Sequence, residues 1–252
     1  MDGKRSRKRF TRRNPTKAGD PMDIQILELL DGARRARGLT VVIDVFRAFS
    51  LEAWLFARGA AAIFAVGAES EARRLKAEHP GAVLIGERGG AILPGFDFGN
   101  SPSQTRGADF RGKTVIHTTS AGTQGLAAAS SAAEIVAGSL VNAAATARYI
   151  RSRDLERVSL VAMGLAGVSG TPEDRLCARC IAARLRGETL DMERELAAVR
   201  ADPEGRKFFD PARQDVFPED DFWMCVDADR FDFVIRAQRL GDGLFRMSAL
   251  AC

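Results

Sequence analysis

The feature that most constrains this chain is a regular alternation between short apolar runs and longer alanine-rich segments. Residues 40–45 (TVVIDV) are rich in β-branched side chains, which is typical of a buried strand, and residues 47–58 have the composition of a helix. Strands that alternate with helices favour a largely parallel sheet with helices on both faces. We therefore predict an α/β fold.

The same alternation predicts the other elements along the chain. Further strands are expected at residues 22–30, 61–66, 82–85, 114–117, 134–137 and 158–163, with closing strands near 233–237 and 244–247. Helices are expected at residues 69–78, after the 118–123 loop, at 142–151 and from Pro172 onward. Ser101 and Thr171, each followed by proline, are predicted to be helix N-caps. Beyond about Gly187 the pattern weakens.

Polar or small residues follow several predicted strands at the point where each strand ends. Asp44, Glu87, Ser139, Gly164 and the 118–123 loop all lie at such positions. In open α/β sheets, ligands bind outside the carboxyl ends of the strands. We therefore expect a functional site at this edge of the sheet.

The segment KTVIHTTSAGTQGLAAA, residues 113–129, places small hydroxyl residues and Gly122 between a strand and a helix. Unpaired N–H groups and the helix dipole at such a turn can bind an anion. The simpler interpretation is a solvated turn in which Thr123 is an N-cap. The loop taken alone leaves both interpretations open.

Several familiar phosphate-binding and redox motifs are absent from the sequence. It contains no G-x-x-x-x-G-K-[ST] motif, and the glycines after Gly164 have the wrong spacing for a dinucleotide site. Asp44 lacks the second aspartate that an aspartyl-phosphate phosphatase would have two residues later. Cys180 precedes Arg186 by six residues, but helix-forming residues separate them, so core packing is expected for Cys180 and for Cys177.

Carboxylates and arginines nevertheless cluster at the predicted strand and helix ends. Such carboxylates could bind a divalent cation through oxygen, as Mg²⁺ prefers, and the arginines could bind phosphate in bidentate fashion. Each pair could instead be an exposed salt bridge or a carboxylate at a helix start. The pairs are Asp44 with Arg47, Glu87 with Arg88, and Glu173 with Asp174.

Five stretches carry a resemblance to a known family. They are VVIDVFRAFS (41–50), GERGGAILPGFDFGNSPSQ (86–104), TTSAGTQGL (118–126), AGSLVNAAA (137–145) and GTPEDRLCA (170–178). In this order the chain resembles the 2-phosphosulfolactate phosphatases. The sequence departs from the usual family pattern at Phe49, where a small hydroxyl residue is more common. A bulky Phe49 could reshape the acidic pocket or pack beneath it.

The resemblance implies a three-layer α/β/α fold with a mostly parallel or mixed sheet, and a Mg²⁺-dependent phosphatase acting on a small phosphorylated 2-hydroxy acid. The family substrate is 2-phosphosulfolactate, hydrolysed to 3-sulfolactate and phosphate on the route to coenzyme M. An alternative is a non-catalytic anion-binding protein with the same fold. The resemblance implies catalytic roles for Asp44, Arg47, Glu87 and Arg88, metal binding by Asp44, Glu87, Glu173 and Asp174, and phosphate binding by Asn100, Ser101, Thr119, Ser120, Ala121, Gly122, Thr123 and Asn142.

Charge and cysteine content indicate the setting. Residues 1–21 carry eight basic and two acidic side chains, whereas the whole chain is +4, so residues 22–252 are slightly acidic at −2. We interpret residues 1–21 as a disordered basic tail, a cloning remnant or an upstream extension, and residues 22–252 as the phosphatase-like domain. We expect no nucleic-acid partner and no membrane partner. Four cysteines are too few for a disulfide framework, so a cytoplasmic protein is expected. A homodimer is a further expectation from size.

Overall fold

The computed structural model describes residues 22–252, so the predicted tail at 1–21 lies outside the described residues. This part of the chain contains ten strands in one mixed, mostly parallel sheet, with nine α-helices. The strands are β1 (Asp23–Glu28), β2 (Leu39–Ile43), β3 (Ala62–Val66), β4 (Val83–Arg88), β5 (Ala91–Ile92), β6 (Thr114–Thr118), β7 (Glu134–Gly138), β8 (Arg157–Ala162), β9 (Phe233–Gly241) and β10 (Leu244–Ala251). The helices are α1 (Leu29–Arg35), α2 (Ala48–Ala57), α3 (Glu69–Glu78), α4 (Gly122–Ala128), α5 (Ala143–Arg151), α6 (Pro172–Arg186), α7 (Met192–Ala201), α8 (Pro203–Arg206) and α9 (Glu219–Val226).

The sheet consists of two parallel groups joined by an antiparallel hairpin. The strand order is β1-β8-β2-β7-β9-β10-β3-β6-β4-β5. Strands β1, β8, β2 and β7 are parallel to one another, as are β3, β6 and β4. The hairpin β9–β10 pairs antiparallel with β7 on one side and with β3 on the other. The two parallel groups therefore run in opposite directions along the hydrogen-bonded ladder.

Strand ends from both groups nevertheless meet at one cavity. Residues at or just after the carboxyl ends of β2, β4, β6 and β8 contribute to its lining. The structure thus brings these strand ends together as expected, and that the cavity is the functional site stays a prediction.

The core has the layers expected of an α/β/α fold. Because successive residues of a strand point to opposite faces, Val41 of β2 packs in the cluster with α5 and α6, whereas Val42 packs with α1, α2 and α4. A third cluster packs α3 against the second parallel group, through Leu75 and Ile116. The predicted fold class is confirmed. Buried Cys177 and Cys180 lie in the core on α6, as expected.

Some predicted elements are wrong, and each error has a local cause. The first strand ends at Glu28 rather than at residue 30, because Leu29 adopts a positive φ of 63° and α1 begins there. Ser101 does not begin a helix; residues 102–107 form turns, and its hydroxyl accepts the Gln104 N–H at 3.2 Å. Thr171 precedes α6, and Pro172 occupies the first helical turn as predicted, but the Thr171 side chain caps no N–H. No helix within residues 22–252 is long and apolar enough to cross a membrane.

Candidate active site

A cavity of about 450 Å³ opens where the strand ends meet. Residues at the ends of four strands contribute to its lining, Asn100 contributes from the loop after β5, and the rest comes from the chain between α7 and α9. The cavity is of a size that suits a small ligand. The strand-end residues are Asp44, Phe46, Arg47, Glu87, Gly89, Gly90, Ser120, Ala121, Gly164, Leu165 and Ala166.

Two aspartates fix the ends of β2 and β8. Asp44 directly follows β2, and its Oδ1 accepts the backbone N–H of Ala48 at 3.2 Å, at the start of α2. Asp174, in the first turn of α6, accepts the N–H of Val45 at 2.7 Å and that of Gly164 at 2.8 Å. One carboxylate thereby joins the loops that follow both strands and holds Asp44 against the cavity.

Glu87 performs the same task between β4 and β6. Its carboxylate accepts the N–H of Ser120 at 2.7 Å, the Ser120 hydroxyl at 3.2 Å and the N–H of Gly90 at 2.8 Å. The side chain is 6% exposed and lines the cavity. Glu87 therefore fixes the position of Ser120 as well as contributing its own charge.

The loop before α4 differs from the N-cap interpretation. Thr123 is not the N-cap; it lies within α4 and donates its N–H to the Thr119 hydroxyl at 3.2 Å, while its own hydroxyl accepts the Thr119 N–H at 3.1 Å. The Ser120 N–H is bound by Glu87. The amides of Thr119 and Ser120 are therefore engaged within the protein in this structure.

Gly122 and Phe49 pack closely behind Asp44. A Cβ atom on Gly122 would lie 2.9 Å from Asp44 Oδ2 and 3.1 Å from the Phe49 ring, so any larger residue would displace the carboxylate. Phe49 is 1% exposed and belongs to the core cluster between the two parallel groups. It packs beneath the site and is absent from the cavity lining, so it does not block the pocket.

Burial raises the pKa values of three neighbouring carboxyl groups. Burial raises the pKa of Asp44 to about 6, and the charge of Glu87 adds to the rise. Burial likewise raises the pKa of Glu173 to about 7. The pKa of Asp174 lies well above its usual range because the group is buried and because Glu173 and Asp44 repel its negative charge. The site thus gathers carboxylates that destabilise one another when ionised.

We call Asp44 and Glu87, together with Glu173 and Asp174 behind them, the acidic floor of the cavity. Within residues 22–252, no three His, Cys, Asp or Glu side chains converge as a preformed metal site. The chemistry of the floor nevertheless fits Mg²⁺, which typically binds one or two carboxylates together with water and phosphate oxygens. Glu173 Oε2 is buried without a hydrogen-bond partner, an arrangement that a cation nearby would stabilise.

Arg47 lines the cavity, but its guanidinium is engaged with the protein. Its guanidinium donates to Asp221 and to the carbonyl of Val216, both at 2.8 Å, and to the carbonyl of Gly90 at 3.1 Å. Arg47 and Asp221 are 3% and 0% exposed. Asp221 in turn accepts the Ser101 hydroxyl at 2.9 Å. Asp221 was not predicted, because no local sequence pattern connects α9 to the residues after β2.

Asn100 reaches the cavity with support from two buried residues. Its Oδ1 lies 3.2 Å from His117 Nε2, and the Nδ1 of the same imidazole lies 2.9 Å from Glu52 Oε1. His117 and Glu52 are both fully buried. The imidazole therefore holds the Asn100 amide in place from behind, and does not itself line the cavity.

Several predicted site residues are close to the cavity without lining it. Arg88 donates to the Glu87 carbonyl at 2.6 Å and to the Thr118 hydroxyl at 3.2 Å. Asn142 caps a 3₁₀ turn by accepting the Ser139 N–H at 3.1 Å. For these residues the structure shows contacts that build the loops. The predicted residues outside the lining are Arg88, Ser101, Thr119, Gly122, Thr123, Asn142, Glu173 and Asp174.

The outer side of the cavity was not predicted. Lys207, Arg213 and Phe217 line it, from short turns between α8 and α9. Phe208 is fully buried and packs 4.8 Å from Phe46, which anchors this segment to the residues after β2. We call Lys207, Phe208, Arg213 and Phe217 the basic wall. The only signal in the sequence was a mixture of basic and aromatic residues, which does not specify where the segment packs.

The comparisons with known proteins agree with the resemblance. A family model described as 2-phosphosulpholactate phosphatase matches residues 24–239. A "Probable 2-phosphosulfolactate phosphatase" of Carboxydothermus hydrogenoformans is 46% identical over 118 residues, covering 47% of this chain and 49%, about half, of that protein. Proteins with the same description match more extensively at lower identity. The protein of Bacillus subtilis is 30% identical, and the match covers 81% of this chain and 89% of that protein. The protein of Parasynechococcus marenigrum is 34% identical, and the match covers 80% of this chain and 89% of that protein.

Proposed function

The chain belongs to the 2-phosphosulpholactate phosphatase family, and from this premise we propose that it hydrolyses the phosphate ester of a small 2-hydroxy acid at the cavity between the acidic floor and the basic wall. The substrate that the relatives' descriptions support is 2-phosphosulfolactate, with 3-sulfolactate and phosphate as products. The observation that carries the proposal is the convergence of buried Asp44 and Glu87 on one cavity at the strand ends.

We assign the phosphate of the substrate to the acidic floor with Mg²⁺ as the cofactor. Asp44 and Glu87 open on the cavity and would hold the cation, while Glu173 and Asp174 add negative charge behind them. When bound, the cation neutralises the phosphate and lowers the pKa of a bound water. Without a cation, the carboxylates would repel the phosphate, so the charge of the floor itself supports this assignment.

The remaining roles follow from the positions of the residues. Asp44 is proposed to orient the attacking water, because its carboxylate is fixed between α2 and the loop before α4. Asn100, which also lines the cavity, donates hydrogen bonds through its amide nitrogen to phosphoryl oxygens as negative charge spreads over them. Ser120 donates its hydroxyl and its N–H to Glu87 and so positions that carboxylate. Arg47 acts by holding the cavity wall together through Asp221. A phosphoryl-enzyme that hydroxylamine cleaves and that does not form in Asp44→Asn would instead identify Asp44 as a nucleophile.

The proposed setting is the cytoplasm, with the thiols reduced. Cys177, Cys180, Cys225 and Cys252 are all free in this structure. Hydrolysis of 2-phosphosulfolactate would contribute to coenzyme M synthesis. The homodimer stays a prediction, which light scattering on the full chain would test.

The proposed function is tested by phosphate release from 2-phosphosulfolactate, phospholactate, phosphoglycolate, 2-phosphoglycerate and p-nitrophenyl phosphate, with EDTA or with added Mg²⁺. We expect release that depends on Mg²⁺ and favours the 2-phospho acids. A folded protein that releases phosphate from none of them would contradict the proposal. Phosphate release that is equally fast in EDTA would contradict the assignment of Mg²⁺ as the cofactor, but not the proposed hydrolysis.

A further inference from the structure

The lining of the cavity carries charges of both signs. Asp44, Glu87 and Arg47 line it from the strand ends, and Glu204, Lys207 and Arg213 line it from the segment between α7 and α9. A ligand in the cavity therefore meets cations as well as carboxylates. The hydrolysis proposed at the floor assigns no role to Arg213, so this cation needs a separate explanation.

One aromatic ring organises the cations of the wall. The Phe217 ring centroid lies 4.6 Å from the Arg213 guanidinium, 4.7 Å from Lys207 Nζ and 5.0 Å from the Arg47 guanidinium. A cation within about 6 Å of an aromatic ring is attracted by the negative face of the ring. Phe217 is 6% exposed, so it provides a fixed support for these side chains.

The three cations differ in whether a carboxylate already neutralises them. Arg47 is paired with Asp221, and Lys207 is paired with Glu204. Arg213 has no carboxylate within ion-pair distance among residues 22–252, and its side chain is exposed at the cavity. The guanidinium N–H donors of Arg213 are therefore not occupied by a carboxylate of the described residues and lie at the cavity.

We propose that Arg213, supported by Lys207 and Phe217, forms a subsite for a second anionic group of the substrate, a carboxylate or sulfonate, while the phosphate lies at the acidic floor. This inference rests on the proposed function and adds the residue that recognises the acid group of the substrate. A planar guanidinium suits both oxyanions because it donates two parallel hydrogen bonds.

A matched pair of substrates tests the subsite. Phospholactate and phospholactamide have the same phosphate ester, but a neutral amide replaces the carboxylate in the second. Arg213→Met should raise KM for phospholactate and lower its kcat/KM by roughly tenfold to a hundredfold, the usual effect of losing a charge-assisted hydrogen bond. The same substitution should change kcat/KM for phospholactamide by less than about twofold.

Arg206→Met is the control, since Arg206 is an exposed cation in the same segment that does not line the cavity. It should leave the kinetics with both substrates unchanged. An equal loss for both substrates, or no loss for phospholactate, in Arg213→Met would overturn the subsite. If the wild-type protein hydrolyses neither these esters nor 2-phosphosulfolactate, the proposed function fails, and calorimetric binding then tests the subsite by itself. Tighter binding of phospholactate than of phospholactamide that disappears in Arg213→Met would support it, and equal binding would overturn it.

Discussion

The acidic floor and the basic wall hold their charges by different means. In the floor, backbone amides fix the carboxylates of Asp44, Glu87 and Asp174; Asp174 alone accepts two N–H groups from the ends of different strands. In the wall, Lys207 and Arg213 lie against an aromatic ring, and the Arg213 guanidinium has no hydrogen-bonded partner among the described residues. The floor is therefore built for fixed position and the wall for adaptable recognition. Catalysis requires groups in a fixed position, whereas selection among related anions tolerates side chains that adapt to the ligand.

The largest effect is expected from the floor. Asp44→Asn keeps the shape of the side chain but removes its charge, so turnover should fall by roughly a hundredfold to ten-thousandfold with the fold retained. Steady-state phosphate release measures the change, and circular dichroism checks the fold. Asp31→Asn, at an exposed residue of α1, should retain full turnover. Turnover near the wild-type value in Asp44→Asn would show that the chemistry is not located at the floor.

The buried Arg47–Asp221 ion pair should contribute more to the free energy of unfolding than an exposed ion pair nearby. Asp221→Asn leaves the buried Arg47 charge without its partner, so the free energy of unfolding should fall by about 3 kcal/mol. The adjacent Asp220 forms an exposed ion pair with Arg106, and Asp220→Asn should cost at most about 1 kcal/mol. Urea unfolding of both variants tests the contrast. Equal losses would mean that the Arg47–Asp221 pair contributes no more than a surface contact.

The floor should also make stability depend on pH. Burial raises the pKa of Glu173 to about 7, from an ordinary 4.5, so the folded state binds more protons than the unfolded state between these values. In EDTA, the free energy of unfolding should therefore fall as the pH rises from about 4 to 7. Glu173→Gln should stabilise the protein at pH 8 by on the order of 2 kcal/mol and have little effect at pH 4.

Glu188→Gln is the matched control for this prediction, because Glu188 is an exposed glutamate just after the same helix. It should alter stability little at either pH. A Glu173→Gln variant that is no more stable than wild type at pH 8 would contradict the assignment of an unfavourable buried charge to the floor.

A smaller effect is expected from the cation itself. At pH 8, Mg²⁺ should raise the melting temperature by several degrees, since a ligand at about a hundred times its Kd stabilises the folded state by about 2.7 kcal/mol. The variant Asp44→Asn with Glu87→Gln should lose this shift, whereas Arg213→Met should keep it. A shift of equal size in the floor variant would place the Mg²⁺ elsewhere.

The acidic floor and the basic wall also differ in how far each could be predicted from the sequence. The floor was located because Asp44 and Glu87 follow apolar runs whose β-branched residues indicate strands, and a sheet brings strand ends together. The hydrogen bonds that join the loops were not predicted, so the 118–123 loop was expected to offer free amides, of which that of Ser120 is in fact bound by Glu87. The opposite direction of the two parallel groups also came only from the pairing of β9 and β10.

The wall could not be predicted, for a different reason. Lys207, Arg213 and Phe217 lie in short turns without a periodic pattern, and their position depends on Phe208 packing against distant Phe46. Local propensity carries no information about such a contact. The pairing of Arg47 with Asp221 has the same origin, and it changes the expected role of Arg47 from binding phosphate to supporting the site.

Steady-state kinetics of 2-phosphosulfolactate hydrolysis test most directly whether the floor and the wall have separate roles. The measurement compares the wild type with Glu87→Gln and Arg213→Met at saturating Mg²⁺. We expect Glu87→Gln mainly to lower kcat and Arg213→Met mainly to raise KM. If both substitutions change the same constant to the same extent, the floor and the wall do not have separate roles, and the account is contradicted.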